Sequence, residues 1–234
     1  MTRWIRSDSS MASFRCRAGG MGGDGHKMVL FLEEGGTLSA RDLACEEIIR
    51  EYTQGEELIS IKIEEDMDWL RACRLLEDAH AIVLAAEVYM DSVSSTVLRF
   101  LEKVEQAVID GESIGGRFYA ILHTELYEGE QTSVAMEVLK NFCIHANIVW
   151  GRGLGIGGSR AETAVRGNSL QRIFHKRIMD FKINALQDQA LFIRGRVQGT
   201  DVYIHPKELS RRGYIRKMNQ EMKKSNRVKI AQIL

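Results

Sequence analysis

The chain has 234 residues, of which 44% are hydrophobic and 27% are charged, a composition typical of a soluble globular protein with a sizeable core. Its formal net charge of zero excludes a global attraction to nucleic acid or to an anionic membrane surface. No apolar run is long enough to cross a bilayer, and the four cysteines lack the Cys-x-x-Cys spacing of zinc and redox motifs. We therefore expect a cytoplasmic protein with reduced thiols.

The first third of the chain predicts an extension, two strands and a helix. Residues 1–27 lack hydrophobic periodicity and contain several Gly, Ser and Arg, so we predict either a disordered N-terminal extension or residues upstream of the natural start. Met28–Glu33 is an apolar run typical of a buried strand, and an apolar stripe that includes Cys45 and Ile49 indicates the helix that follows. Leu58–Ile63 alternates between apolar and polar residues, which predicts an edge strand.

The stretch Ala81–Lys103 predicts a strand, a turn and a helix. Ala81–Ala86 is continuously apolar, as in a parallel strand that is covered on both faces. The polar turn Glu87–Ser92 follows, and apolar residues then recur at helical spacing. Because ligands of open α/β sheets bind where the chain leaves the carboxyl end of a strand, this turn is a candidate binding loop.

The remaining elements continue the alternation of strands and helices, which implies a parallel sheet with right-handed crossovers. Arg117–His123 and Asn147–Gly151 are predicted as the fourth and fifth strands, and Ser169–Ile193 as a long helix. We predict a domain over residues 28–195 and a C-terminal extension over 196–234. This extension ends in a basic tail, for which a solvated or partner-docking face is favoured over nucleic-acid binding.

The segment Gly153–Ser159 contains the pattern Gly-x-Gly-x-x-Gly, which occurs in dinucleotide-binding sites. In such sites the motif follows the first strand of a βαβ unit, whereas here it follows the last predicted strand. We therefore favour a flexible connection beside the pocket over a dinucleotide fingerprint.

Three predicted loops converge at one edge of the sheet. Gly35–Ser39 combines glycines and hydroxyl groups ahead of a helix, which suits a phosphate, although a turn with a serine cap needs no ligand. Glu87–Ser92 and His123–Gly129 follow adjacent strands and offer Tyr89 as a platform for a planar ring, or they are solvated loops. No arrangement of acid–base or nucleophilic groups can be singled out.

A family resemblance rests on three segments and on the order of the elements. Ala79–Lys103 combines a buried strand, an apolar-x-Tyr turn and a helix that contains Arg-Phe-Leu-Glu-Lys. Arg117–Gly158 combines a strand, a loop, a helix and a strand with a glycine-rich end. From about Met28 to Arg227, the chain thus resembles the flavodoxin-like NAD(P)H-dependent FMN reductases. Val202–Lys207, followed by Tyr214 and Asn219–Lys224, resembles a C-terminal segment of some bacterial members of the same family.

The resemblance implies an α/β flavodoxin-like three-layer sandwich, whose five-stranded parallel sheet has the order 2-1-3-4-5. It implies FMN as cofactor, NAD(P)H as co-substrate, hydride transfer through the flavin to an unidentified acceptor, and a homodimer. In this interpretation Thr37 and Ser39 hold the phosphate of FMN. The residues expected to border the flavin ring are Glu87, Val88, Tyr89, Met90, Ser92, His123, Thr124 and Glu125.

Two departures from the family pattern leave an alternative open. The first loop is short, and the pair Glu33-Glu34 stands beside the expected phosphate site, where carboxylates repel an anion. Glu87 stands where the family tends to have Pro. The alternative is a non-catalytic flavodoxin-like dimerisation or interaction module with a degenerate flavin site.

Overall fold

The computed structural model describes residues 27–34, 40–159, 169–207 and 210–233, which form six strands and six α-helices. The strands are β1 (Met28–Glu34), β2 (Glu57–Ile63), β3 (Ala81–Glu87), β4 (Arg117–His123), β5 (Val149–Ile156) and β6 (Val202–Ile204). The helices are α1 (Ala40–Tyr52), α2 (Trp69–Asp78), α3 (Ser95–Ile109), α4 (Ser133–His145), α5 (Ser169–Gly195) and α6 (Arg211–Ile233). A 3₁₀ turn, Gly129–Thr132, precedes α4.

All strand pairs of the sheet are parallel, and the strand order is β2-β1-β3-β4-β5-β6. The predicted order 2-1-3-4-5 is therefore confirmed, and a sixth strand is added to it. This strand, β6, pairs with the segment Leu154–Ile156 of β5. It lies within the predicted extension 196–234, whose separation from the domain 28–195 stays a prediction.

Apolar cores on both faces of the sheet produce three layers. Along β3, Ile82 and Leu84 belong to the core that also contains buried residues of α2, α3 and α4. Ala81 and Val83 belong to the opposite core, which contains buried residues of α1 and α5. Because side chains alternate along a strand, only a continuous apolar run can fill both cores.

The helix α3 begins soon after the loop that leaves β3. Its N-terminus is fixed by Ser94, whose side chain accepts a hydrogen bond of 3.3 Å from the N–H of Val97. This cap satisfies one of the free N–H groups at the start of the helix. The loop after β3 is therefore held between a central strand and a capped helix.

The second half of β5 corrects the sequence interpretation of the glycine-rich segment. Gly153 and Gly155 are buried residues of the strand and not part of a flexible connection. A Cβ at Gly155 would stand 2.6 Å from the Tyr203 ring of β6 and 3.0 Å from the carbonyl oxygen of Gly129. Glycine occurs in this strand because the 3₁₀ turn and β6 approach its backbone closely.

Two predicted segments at the N-terminal end of the chain fall outside the residues that the structure describes. The predicted disordered extension lies outside the described residues, apart from Lys27. The loop that contains Thr37 and Ser39 lies outside them as well. Within the described ranges, no helix combines the length and apolarity needed to cross a membrane.

Candidate functional site

The loops that follow β3 and β4 lie side by side at the carboxyl edge of the sheet. The two strands end in register, with Glu87 opposite His123. One residue further on, the N–H of Val88 donates a hydrogen bond of 2.7 Å to the carbonyl oxygen of His123. The structure thus brings together the two stretches that were expected to border a ring, and we call the space at their ends the crevice.

The loop after β3 closes in a strained two-residue turn. Tyr89 and Ser92 exchange backbone hydrogen bonds of 2.8 and 3.1 Å, and between them Met90 and Asp91 have φ angles of 48° and 70°. Each non-glycine residue in this region costs on the order of 1 kcal/mol, and such strain clusters at functional sites. The turn leaves Tyr89 55% exposed and Met90 97% exposed at the mouth of the crevice.

Three carboxylates act on the hydroxyl group of Tyr89. Its hydroxyl donates a hydrogen bond of 2.7 Å to Glu87, and the N–H of Glu87 donates one of 3.2 Å to the carboxylate of Glu34. The hydrogen bond to Glu87 raises the pKa of Tyr89 to about 12, supported by burial and by the charges of Glu87, Glu34 and Glu125. This part of the crevice is therefore negatively charged.

His123 and Thr124 lie beneath the surface of the β4 loop, with exposed fractions of 5% and 3%. The Nε2 atom of His123 lies 3.4 Å from the thiol of Cys45 on α1. The backbone N–H of Thr124 bonds to Ile156 on β5, and its hydroxyl accepts from Leu126. No local pattern of residues predicts the Cys45–His123 contact, because 78 residues separate the two positions.

The start of α6 is fixed to the loop after β4. Tyr214 is buried, and its hydroxyl donates a hydrogen bond of 2.5 Å to the carbonyl oxygen of Glu125. Its ring packs against Tyr127, with ring centroids 5.7 Å apart, and Arg211 forms an ion pair with Glu128. No sequence pattern connects this helix with the crevice, because 89 residues separate Tyr214 from Glu125.

A buried hydroxyl group lies next to Thr124. Ser159 is 1% exposed, and its N–H donates a hydrogen bond of 3.0 Å to the carbonyl oxygen of Thr124. No described residue forms a hydrogen bond with its Oγ atom. Since a buried hydroxyl without a partner costs about 1–3 kcal/mol, Ser159 is a candidate ligand contact that the sequence analysis missed.

The sequence matches neither a protein-family model nor a curated protein. Among solved structures, the Trp repressor binding protein from Bacillus subtilis superposes with a TM-score of 0.50 at 10% identity, covering 69% of this chain and 97% of that one. An NADPH-quinone reductase from P. pentosaceus gives a TM-score of 0.49 at 12% identity, covering 70% and 97%. An azoreductase from Bacillus anthracis gives 0.48 at 11%, covering 70% and 98%.

The fold is flavodoxin-like. The strand order of the first five strands is that of flavodoxin, in which FMN binds where the order reverses between β1 and β3. In this chain Glu34 and Glu87 end these two strands. At 10% identity, the similarity to the Trp repressor binding protein shows the fold alone and identifies no ligand.

The residues of the crevice fit the two ends of FMN unequally. The ring end fits, because the exposed Tyr89 and Met90 offer contact area next to backbone groups of the β4 loop. At the phosphate end, Glu34 brings a carboxylate to the reversal point of the sheet. The hydroxyl groups expected to bind the phosphate, those of Thr37 and Ser39, lie outside the described residues.

Proposed function

We propose that the chain is an oxidoreductase that binds FMN in the crevice and uses NAD(P)H to reduce an acceptor. The observation that carries the proposal is the pairing of the β3 and β4 loops, which leaves a strained turn with an exposed Tyr89 at the carboxyl edge of a flavodoxin-like sheet. Ligands of such sheets bind at this edge, next to the point where the strand order reverses.

The residues of the chain would bind and orient the flavin. Tyr89 and Met90 would contact the ring on the side of the β3 loop, and Thr124 and Glu125 would border it on the side of the β4 loop. Thr37 and Ser39 would donate hydrogen bonds to the phosphate. A bound flavin accepts a hydride from a nicotinamide and passes it on, so the protein needs no acid–base group of its own for this chemistry.

The hydrogen bond from Tyr89 to Glu87 has a defined role in this proposal. It fixes the phenol ring of Tyr89 at the mouth of the crevice and raises the pKa of the hydroxyl from the ordinary value of 10, itself well above physiological pH, to about 12. The ring thus stays neutral where the flavin would lie. A homodimer that covers the exposed Tyr89, Met90 and Leu126, and a cytoplasmic location, remain part of the proposal.

A second candidate function is a non-catalytic dimerisation or interaction module with a degenerate flavin site. The observation in its favour is the carboxylate of Glu34, which accepts a hydrogen bond from the N–H of Glu87 at the reversal point. A dianionic phosphate near this group would be repelled.

A flavin titration separates the two candidates. Purified, flavin-stripped protein is titrated with FMN and with riboflavin, and flavin fluorescence is followed. We expect saturable binding of both ligands, and the double variant Thr37→Ala/Ser39→Ala should weaken FMN binding by about tenfold while leaving riboflavin unchanged, because only FMN carries the phosphate.

The matched control is Ser113→Ala/Thr200→Ala, which removes two exposed hydroxyl groups at the opposite edge of the sheet. It should bind both flavins like the wild type. The absence of saturable binding of either flavin, in a protein that circular dichroism shows to be folded, would refute the oxidoreductase and leave the interaction module.

A further inference from the structure

The helix α6 combines a high positive charge with an exposed surface. Its 23 residues include eight Lys or Arg and one acidic residue, Glu221. Among the residues of α6 whose burial the structure describes, Tyr214 alone is buried. Its ring packs against Tyr127, and its hydroxyl donates a hydrogen bond to the carbonyl oxygen of Glu125. The domain therefore holds the start of α6 by the side that carries Tyr214.

The other side of α6 is a mostly polar surface, which we call the basic face. Its residues are all exposed and together line a groove of about 510 Å³; they are Arg212, Ile215, Arg216, Asn219, Gln220 and Lys223. Tyr214 stands two residues from both Arg212 and Arg216, so it lies on a different side of the helix. At about 1.5 Å per residue, the basic face extends over about 16 Å along the helix.

The cations of the basic face have no partner within the part of the chain that the structure describes. The side chains of Arg212, Arg216 and Lys223 form no ion pair and no hydrogen bond there, whereas Arg211 is paired with Glu128. The acidic residues that balance α6 lie elsewhere in the chain, because the formal net charge of the whole chain is zero. A row of unpaired cations creates a local field that attracts a polyanion.

The side chains of the basic face are also of the types that bind the edges of base pairs. Arginine donates a pair of hydrogen bonds to guanine, asparagine and glutamine bind adenine in the same way, and apolar groups contact the methyl group of thymine. Asn219 and Gln220 lie between the cations Arg216 and Lys223 in the helix, and the apolar Ile215 is 40% exposed. The face thus combines cations that suit phosphates with amides that suit bases.

We propose that the basic face of α6 binds duplex DNA in the major groove. This inference goes beyond the proposed oxidoreductase function and does not depend on it. An α-helix with its side chains is about 10–12 Å wide, and the major groove of B-DNA is about 12 Å wide, so the helix fits the groove. Because Tyr214 attaches α6 to the domain from the other side, the basic face is free to enter the groove.

Duplex DNA is favoured over three other polyanions by the composition of the basic face. Single-stranded nucleic acid is bound by aromatic side chains that stack on the bases, and the basic face has none. Side chains cannot enter the deep and narrow major groove of duplex RNA. A helix that lies on an anionic membrane needs a broad apolar face, whereas Ile215 is the only apolar residue of the basic face.

The sequence alone favours a solvated or partner-docking face for this basic segment, because a run of charges is usually solvated or paired. The structure adds two observations that change this interpretation. The cations Arg212, Arg216 and Lys223 share one face with two amides, and they lack acidic partners among the described residues.

The test uses fluorescence anisotropy to follow the binding of the full chain to a labelled DNA duplex of about 20 bp, at salt concentrations between about 50 and 200 mM. The wild type should bind saturably, with an affinity that falls steeply with salt because counterions are released from the DNA. The triple variant Arg212→Gln/Arg216→Gln/Lys223→Gln should bind at least about tenfold more weakly. Its slope of log affinity against log salt should be smaller by about 0.9 for each phosphate contact that is lost.

The matched control is Lys62→Gln/Arg71→Gln/Arg74→Gln, which removes three exposed cations from β2 and α2. It changes the net charge of the chain by the same amount and should bind DNA like the wild type. A second comparison replaces the DNA with duplex RNA of the same length. The RNA should bind about tenfold more weakly, because the helix cannot enter its major groove.

Any of four results would overturn the inference, provided that circular dichroism shows each variant to be folded. The wild type shows no saturable DNA binding at the lowest salt concentration, or the triple variant on α6 binds like the wild type. The control loses as much affinity as the α6 variant, so that net charge alone accounts for binding. Duplex RNA, or vesicles that contain phosphatidylserine, bind as tightly as DNA. A failure of the flavin titration would refute the oxidoreductase and leave this inference standing, because the two measurements concern different sites.

Discussion

The variant Gly155→Ala tests whether the glycine-rich pattern in β5 serves packing or ligand binding. A Cβ at this position would overlap Thr132 Oγ1 and would stand 2.6 Å from the Tyr203 ring and 3.0 Å from the carbonyl oxygen of Gly129. Thr132 cannot easily move, because it is fully buried and its hydroxyl donates a hydrogen bond of 2.8 Å to the same carbonyl. The added methyl group must therefore shift β6 or the 3₁₀ turn.

The expected change in the free energy of unfolding is the sum of two opposing effects. Overpacking in a filled core costs about 1–3 kcal/mol, and the rigidity of the neighbours of Gly155 places it in the upper half of that range. Replacing glycine by alanine also restricts the unfolded chain, which stabilises the folded protein by about 0.4–1 kcal/mol. We expect a net loss of about 2 kcal/mol, measured as a lower midpoint of urea unfolding with an unchanged slope.

The control for Gly155→Ala is Gly195→Ala at the end of α5. There a Cβ would lie 3.5 Å from Val197, an ordinary contact, so stability should be unchanged or slightly higher. The reasoning is refuted if Gly155→Ala unfolds within about 0.5 kcal/mol of the wild type, the usual range of neutral surface substitutions. If the glycines formed a dinucleotide-binding site, Gly155→Ala would instead retain the stability of the wild type and lose affinity for the dinucleotide.

Three further predictions concern buried polar groups and the charge of the crevice. Tyr119→Phe should lose about 1–2 kcal/mol of stability, because the hydroxyl forms hydrogen bonds with two carbonyl groups near the end of α5. The control Tyr203→Phe should lose less, because its hydroxyl makes no hydrogen bond to a described residue. Equal losses in urea unfolding would contradict this prediction. Burial lowers the pKa of His80 below 6.5, although the charge of Glu56 opposes this shift, so the unfolded chain binds more protons and stability should fall as the pH drops below 6.5. His80→Gln should reduce the difference in stability between pH 7 and pH 5, measured by thermal unfolding. An unchanged difference would exclude His80 as its source. Glu34→Gln keeps an oxygen that can accept a hydrogen bond but removes the charge, so the affinity for FMN should rise several-fold relative to the affinity for riboflavin. An unchanged ratio of the two affinities would show that the carboxylate lies too far from the phosphate to repel it.

The sheet could be predicted from the sequence where its strands are long and continuously apolar. The runs in β1, β3 and β4 have no polar alternation, so they predicted strands with both faces buried, whereas the strand order was implied by the family resemblance. β6 was not predicted as a sheet strand, because its three half-buried residues carry too little pattern. The end of β5 was misassigned, because Gly153 and Gly155 suggest a loop unless their neighbours are known.

The position of the crevice could be predicted, whereas the contacts within it could not. Topology places the ends of β3 and β4 at one edge, which requires only the element order. The contact of Cys45 with His123 and the hydrogen bond from Tyr214 to Glu125 join residues 78 and 89 positions apart, and no local pattern encodes such pairs. The acceptor role of Glu34 likewise depends on the register of β1 against β3.

The charge at the ring end of the crevice distinguishes the two parts of FMN. The hydrogen bond to Glu87 and the charges of Glu87, Glu34 and Glu125 act together on Tyr89. An uncharged flavin ring tolerates this environment, whereas a phosphate group is repelled by it. Glu34→Gln should therefore raise the affinity for FMN and leave the affinity for riboflavin unchanged. An equal rise in both affinities would show that the carboxylate acts on the ring and not on the phosphate.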